Sequence, residues 1–563
     1  MIYSQYISIL LTFLVLAILI PIIGRYIADV YQEKTTILDV LFYPVEAWIY
    51  KLIGTDSKKS MDWKEYTVAL VLTNITFGIF AFLILTQQGG LPLNYFNSPD
   101  MSFRLAFHTS ASYLTNTDFQ HFNPVTQISM FSEMFAIMLL MFVSSATGLV
   151  VAVSLIRGIK NSNGKIGNFY IDFVRSITRI LLPFSILTTF LLVFMGVPDT
   201  LTPYIILHPV TGGSSIMPLG LNAAHTSIEL LGTNGGSYIN GGSSNPLSDP
   251  SNATIFLETL MMLLFPFSLI FAYGEMIKKK SESFVLFIVT FGLLLFAVLS
   301  VVNIEMQGNV MLSTIPHLSM SSGNFVGKDT RFGVVYGSFA QTVSVYTNTG
   351  AQFVNIDTML PGSQIFLLFG MFIQAVPGGI GTGFTYLLLY LLLSVFLGGL
   401  MVGRTPEYIG KKIGVKEIKY TSLALIVHPI LIITPFVIAL LFNPFGSVTY
   451  SPHNLTELLY EFTSEAANNG SSMTLNDNNA FYNIAGGIIM LLSRFIPIVA
   501  TLAIAGSLSN KKSLPERGGS MRTDSITFAL YLIGVIIILG ALMFLPVIVI
   551  GPLRDYLRLS HYG

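Results

Sequence analysis

Four short runs of oxygen-bearing residues carry the periodic chemistry of this chain. They are Thr115-Asn116-Thr117-Asp118, Thr233-Asn234-Gly235-Gly236, Asn348-Thr349-Gly350-Ala351 (with Thr347 ahead of it) and Asn468-Asn469-Gly470-Ser471. With Thr117, Gly235, Gly350 and Gly470 taken as equivalent, the spacings are 118, 115 and 120 residues. A dehydrated cation needs several oxygen ligands converging on one point. An extended backbone with inward carbonyls supplies them. Glycine tolerates the unusual φ that such a run requires, and Thr and Asn add side-chain oxygens. One such run is an ordinary Asn/Gly turn. Four at one period predict a pseudo-fourfold ring. The flanks echo one another too, with His108-Thr109-Ser110 before the first run and His225-Thr226-Ser227 before the second. Only Asp118 bears a fixed charge. In this register its ring neighbours are Gly236, Ala351 and Ser471, which makes it a rim residue or a cap. A divalent-ion site collects several carboxylates. Neutral oxygens suit a large monovalent ion, so K+ is the expected ligand at these residues, with no transition metal.

Such a ring must be held inside a membrane. Of 563 residues, 52% are hydrophobic and only 10% charged, against about 25% charged in soluble domains. Mean hydropathy is +0.69. Ten apolar stretches approach the length of about 20 residues that crosses a bilayer. They lie near 5–24, 67–86, 128–156, 177–196, 254–277, 284–303, 363–400, 421–442, 481–509 and 526–550. The first lacks a basic leader and a small-residue cleavage site, so it is expected to be a retained helix. The connections after stretches 1, 3, 5, 7 and 9 hold 22 of the 29 Lys and Arg. The positive-inside rule places those connections in the cytoplasm and both termini outside. Cys is 0, which removes disulfides and thiolate sites, and 29 basic against 29 acidic residues give no electrostatic case for nucleic acid.

The four outward segments, 87–127, 197–253, 304–362 and 443–480, each hold a short apolar piece. These pieces are Phe103–Leu114, Leu221–Leu231, Val334–Tyr346 and Leu455–Phe462. They are too short to span and read as re-entrant helices whose negative ends face the ring. The expected fold is therefore an all-α polytopic membrane protein with ten transmembrane helices. Four helix–pore-helix–filter–helix repeats cover 66–160, 161–280, 281–402 and 403–510. An extra helix stands at each end, in 1–65 and 511–563. The seventh stretch is too long for one crossing, and Gln374 to Gly383 interrupts it with one Pro and four Gly. This predicts a broken helix with a loop beneath the third filter segment, or a simple kink. Arg494, deep in the ninth stretch, is either a cation beside an internal pathway or half of a structural ion pair. Arg179 is expected to snorkel toward the surface. The 8 His show no metal-ligand helical spacing. No GxxxxGK[ST] phosphate loop or DKTG motif occurs. The chain is thus expected not to be an enzyme by itself.

The loop Gly403-Arg404-Thr405-Pro406-Glu407-Tyr408-Ile409-Gly410-Lys411-Lys412-Ile413 adds a specific signature. So do Gly232-Thr233-Asn234-Gly235-Gly236, Thr115-Asn116-Thr117 with Gln120, and Ala467-Asn468-Asn469-Gly470-Ser471. Pro377-Gly378-Gly379-Ile380-Gly381-Thr382-Gly383 and Ala503-Ile504-Ala505-Gly506-Ser507-Leu508 belong with them. On these residues, from about 60 to 515, the chain resembles the KdpA family, the potassium-binding A subunits of Kdp pumps. The resemblance implies a channel-like fold of the potassium transporter superfamily in a prokaryotic cell membrane. It implies a complex with a P-type ATPase subunit, KdpB, and small subunits KdpC and KdpF. It implies K+ selection from outside and passage through an intersubunit tunnel. It places Gln120 near the tunnel entrance and Arg494 near the ion path, while the interruption of the seventh stretch, with Gln374, Gly378, Gly379 and Gly381, is itself expected to act as a gate. Ser237, Gln374 and Asp118 depart from the family's usual Gly, Glu and Asn. The alternative is a stand-alone K+ channel or gradient-coupled transporter of the same superfamily. A membrane scaffold would leave the four runs unexplained.

Overall fold

A computed structural model of the chain describes residues 2–56, 59–309, 322–442, 451–473, 479–513 and 522–560. Parts of the long segments 304–362 and 443–480, and residues 514–521 of the basic connection after the ninth helix, lie outside the described residues. Ten described helices are long and apolar enough to cross a membrane. Spans 1 to 10 are Tyr3–Tyr31, Trp63–Thr86, Met130–Lys160, Phe169–Phe194, Asn252–Ile277, Lys280–Met306, Thr382–Met401, Val415–Phe442, Ala480–Ser509 and Ile526–Leu545. Among the described residues, sheet is confined to two hairpins, Tyr204–Leu207 with Ser215–Pro218 and Glu407–Tyr408 with Lys411–Lys412.

Between spans 2–3, 4–5, 6–7 and 8–9 stand four short helices, Phe103–Leu114, Asn222–Leu231, Gly333–Tyr346 and Pro452–Ala467. Each is followed at once by one of the four oxygen-bearing runs. Local chemistry sets several boundaries. The Ser102 and Ser451 hydroxyls accept the first free backbone N–H groups of the first and fourth short helices. Asp62 and Glu65 form a capping box at the start of span 2. The apolar run 363–400 resolves into Pro361–Ile373, a non-helical stretch and span 7. The sequence expectation of a broken helix is met rather than that of a kink.

Small residues let the spans approach. A Cβ on Gly24 of span 1 would lie 2.7 Å from the Ser268 carbonyl oxygen of span 5. One on Gly158 of span 3 would lie 2.5 Å from the Ala505 Cα of span 9. Spans 3, 5, 7 and 9 are the most buried and form the centre of the bundle. Spans 3 and 4 each contain a π-turn, at Glu133–Met138 and Ser176–Leu181. Each π-turn carries a buried ionisable residue, Glu133 in the first and Arg179 in the second.

Arg179 does not snorkel. It sits in the second π-turn with its Nε and Nη2 donating to both Glu46 carboxylate oxygens at 2.7 and 2.6 Å. Glu46 belongs to Asp39–Ile53, an additional helix between spans 1 and 2. Its partner lies 133 residues away in sequence, so the apolar context of Arg179 gave no sign of it. The Gly403–Ile413 loop is likewise an internal anchor at one residue. Lys411 is 1% exposed. Its ammonium donates to the terminal carbonyls of Gly158, Asn161 and Leu508, which cap spans 3 and 9 together.

His453 ties the two ends of this arrangement on the opposite face. Its imidazole bridges Asp357 at 2.8 Å and Asp555 of the helix Pro552–Ser560 at 3.2 Å. The Asp357 hydrogen bond, then the Asp555 one, raises its pKa from 6.5 to about 10. A raised cationic pKa stabilises the docked helix fully below 6.5 and ceases to do so as pH rises through about 10. Limited proteolysis should therefore release the C-terminal helix above about pH 10, and His453→Gln should release it at neutral pH. Identical cleavage of both proteins across that range would contradict the clamp. Lys411→Met removes the ammonium from three buried carbonyls, of which that of Leu508 keeps the Lys511 N–H, and should cost about 2–4 kcal/mol of stability in detergent. An unchanged unfolding midpoint would show that the anchor carries nothing.

Candidate ion-selective ring

The short helices fix the register of the four runs. The backbone N–H of Thr117 donates to the Ser112 carbonyl at 3.0 Å, Asn234 to Glu229 at 2.8 Å, Thr349 to Ser344 at 2.9 Å and Asn469 to Ser464 at 2.9 Å. Each bond runs back five residues, from just past the helix to its last turn. Thr117, Asn234, Thr349 and Asn469 are therefore the equivalent positions. The spacing read from sequence is one residue out in the first run. The preceding residues Asn116, Thr233, Asn348 and Asn468 all have φ between 45° and 61°. The following positions are Asp118, Gly235, Gly350 and Gly470. Asp118 thus stands level with three filter glycines, not with Gly236, Ala351 and Ser471. It adopts φ 52°. The tripeptide likeness of Thr115-Asn116-Thr117 to Thr233-Asn234-Gly235 had masked this register.

The segments close on one another through backbone. A Cβ on Gly470 would lie 2.0 Å from the Thr117 carbonyl oxygen, and one on Gly350 would lie 2.0 Å from that of Asn469. One on Gly235 would lie 2.4, 3.2 and 3.5 Å from the carbonyl oxygens of Thr349, Thr117 and Asn469. Carbonyls from three repeats thus converge beside a single point. The C-terminal, negative ends of all four short helices adjoin the ring. This is a geometry for a dehydrated cation.

The Asn side chains serve differently from the expectation. They brace one repeat to the next. The Asn116 amide donates to the Thr233 and Gly232 carbonyls, Asn348 to Ala467 and Asn468 to the Thr117 hydroxyl. Their oxygens also accept from the frame, with Ser145 donating to Asn116, Ser144 to Asn234 and Ser493 to Asn468. Thr115 and Thr347 share hydroxyl bonds with Thr117 and Thr349 at 2.8 and 2.7 Å. With these groups engaged, the backbone carbonyls are the ligand candidates. The serine donors were invisible in the sequence because they lie on spans far from the runs.

Above the ring is a mouth lined by Asp118, Gln120, Gly236, Ser237, Gly350 and Gly470. Gln120 donates to Tyr113 Oη at 2.8 Å and to the Ser237 carbonyl at 2.9 Å. Gln120 thus lies in this mouth. Beneath the ring, a cavity is lined by Gln374, Thr382, Tyr386, Asn468 and Arg494. The loop 374–381 forms part of its roof. Ile380 N–H donates to Thr233 Oγ1 at 2.7 Å and Gly378 N–H to the Tyr346 carbonyl at 3.0 Å, so the loop underlies the second segment as well as the third. Gly381 is required here, since a Cβ would lie 2.1 Å from the Gly148 backbone of span 3. Gly379 faces Thr233 and Asn348 at ordinary contact distances.

Arg494 is 5% exposed and donates to Thr382 Oγ1 and the Ser144 carbonyl, both at 3.2 Å. Among the described residues it has no carboxylate within 4.0 Å, so the structural ion pair is not formed. Gln374 caps Pro361–Ile373 in a left-handed conformation and turns its amide to His428, not to Arg494.

Comparison with known proteins agrees with this geometry. A family model described as Potassium-transporting ATPase A subunit matches residues 10–557. A Geobacillus kaustophilus protein named Potassium-transporting ATPase potassium-binding subunit is 40% identical over 99% of this chain and 99% of its own. Proteins of the same name from Caldanaerobacter subterraneus and Anabaena sp. (strain L31) are each 38% identical. They cover 97% and 98% of this chain, and 98% of their own lengths.

Because ring glycines abut carbonyl oxygens, Gly350→Ala and Gly470→Ala should abolish selective K+ binding while the chain still inserts. Gly90→Ala, with nothing within 4 Å, should be silent. Equal K+ over Na+ selectivity in all three would remove the ring assignment.

Proposed function

This chain belongs to the KdpA family of potassium-transporting ATPase A subunits, and from that premise we propose that its ring selects K+ at the mouth and delivers it to the cavity beneath. The observation that carries the reading is the convergence of the Thr117, Thr349 and Asn469 carbonyls beside Gly235. Thr117, Asn234, Thr349 and Asn469 supply the ligating backbone. Thr115, Asn116, Thr233, Asn348 and Asn468 hold their segments in register. Gly235, Gly350 and Gly470 permit the close approach. Asp118 occupies the fourth glycine position, with both carboxylate oxygens buried.

The cavity offers the ion a guarded exit. A K+ ion that leaves the ring meets the Arg494 guanidinium, a fixed charge of like sign in a poorly solvated space. Direct passage to the opposite face is thereby disfavoured. The loop with Gln374, Gly378, Gly379 and Gly381 stands where a change of conformation would divert the ion sideways. The chain has no phosphate-binding loop of its own. ATP hydrolysis is assigned to a P-type ATPase subunit of the KdpB kind, with KdpC and KdpF completing the assembly. The Lys and Arg bias favours both termini outside, and membership of the family favours a prokaryotic plasma membrane.

Gentle extraction of this chain from its native membrane should bring down ATP hydrolysis stimulated by K+ and not by Na+. A chain that elutes alone and conducts K+ in liposomes would establish the stand-alone channel or carrier instead. Arg494→Gln should raise passive K+ flux through the reconstituted chain by roughly tenfold, the effect of about 1.4 kcal/mol of lost repulsion. Unaltered flux would remove the barrier role.

A further inference from the structure

The helix Asp39–Ile53, between spans 1 and 2, has 15 residues. At about 1.5 Å per residue it is about 22 Å long, too short to cross about 30 Å of hydrocarbon. Glu46 is the one residue of this helix that is buried. Val40, Leu41, Tyr43, Val45, Trp48 and Leu52 are 48–90% exposed. At about 100° per residue, these positions sweep about 200° of the helix surface. Helices of this length are marginal in water without packing, and an apolar arc of this size calls for an apolar partner.

Its ties to span 4 give its depth. Glu46 and Asp39 both pair with Arg179, and Thr178 Oγ1 donates to Glu46 at 2.7 Å. Past the other end of the helix, the Asn168 amide donates to the Asp56 and Lys59 carbonyls at 3.3 and 2.9 Å. Asn168 caps the start of span 4, and Thr178 lies about 15 Å further along that span. The helix therefore runs beside the first turns of span 4, from its end inward. Tyr26 of span 1 donates to the Arg179 carbonyl at 2.6 Å, and Ile22, one turn deeper, is exposed. The outward arc thus stands at the level where span 1 turns an apolar side chain to lipid.

Its chemistry matches that level. The charged residues of the helix are Asp39, Glu46 and Lys51. Arg179 holds both acids, so the outward arc carries Lys51 alone. Tyr43 and Trp48 are the ring types that collect at a membrane boundary. A partner helix would cover one narrow stripe, here Leu41, Val45, Trp48 and Leu52, and would leave Val40 and Tyr43 bare. Lipid covers the whole arc.

We propose that Asp39–Ile53 is a monotopic helix whose outward face is seated in the acyl–headgroup boundary of the leaflet beside the Lys- and Arg-rich connections. Apolar insertion holds it there, and the Glu46–Arg179 pair fixes its inner face to span 4.

The chain holds no Cys, so single introduced thiols report without a background. Leu41→Cys, Trp48→Cys, Ile18→Cys of span 1 and Lys412→Cys of the Gly403–Ile413 loop are each labelled with a nitroxide. The four positions are exposed, so the label displaces no packing. The full chain, extracted with whatever accompanies it, is reconstituted in phosphatidylcholine vesicles. Collision of the label with O2, which concentrates in lipid, is compared with collision with a water-soluble nickel chelate. The labels at 41 and 48 should favour O2 over the chelate several-fold more than the label at 412 does, and approach the value at 18. Chelate contact equal to that at 412 would place the helix in water and overturn the proposal. Immobilised labels shielded from both reagents would overturn it too, because a protein surface would then cover the arc.

Discussion

The structure depends on keeping a set of backbone carbonyls pointed at one another. Carbonyl dipoles in such a ring repel, and nothing within a three-residue segment holds them. Each segment is instead fastened at its N–H side, where Thr117, Asn234, Thr349 and Asn469 bond the last turn of their own short helices. With those donors committed inward, the carbonyls have one direction left to face. The short helices must therefore end at the ring, and the spans must hold the helices at that depth. Non-helical backbone in a bilayer is tolerable only where it lines such a cavity or is buried in protein.

The lateral constraint is a second layer of the same design. Asn116, Asn348 and Asn468 each reach into the next repeat, and serines of spans 3 and 9 hold amide oxygens of Asn116, Asn234 and Asn468. Neutral side chains suit this task because an unpaired charge beside the ring would compete with the ion. Asp118 belongs to the segment that lines the mouth, with its carboxylate oxygens buried, and Arg494 lines the cavity.

The outer frame is locked by long-range polar pairs at helix ends and defects. Lys411 closes the ends of spans 3 and 9, and Arg179 joins a π-turn to the helix Asp39–Ile53. Each group is buried, and each is satisfied by several partners, which is the condition for such burial to be tolerated.

Much of this was legible in the sequence, because a bilayer imposes length and polarity on every segment that meets it. The ten spans, the four short helices and the broken seventh helix follow from apolar run length, from Gly and Pro, and from the Lys and Arg bias. The oxygen-bearing runs were legible as well, since glycine and asparagine mark the φ values a ring requires. Only the tertiary structure decided the register of the first run. One residue of slip alters no composition, and hydrogen bonds to the short helix alone distinguish Asp118 from Thr117 as the glycine equivalent. It alone placed Gln120 at the mouth, paired Arg179 with Glu46 and left Arg494 without a carboxylate. Those relations join residues 100 or more positions apart, or turn on which way a side chain leaves its helix. Hydrophobic patterning fixes where a segment lies in the membrane but not which segment stands beside it.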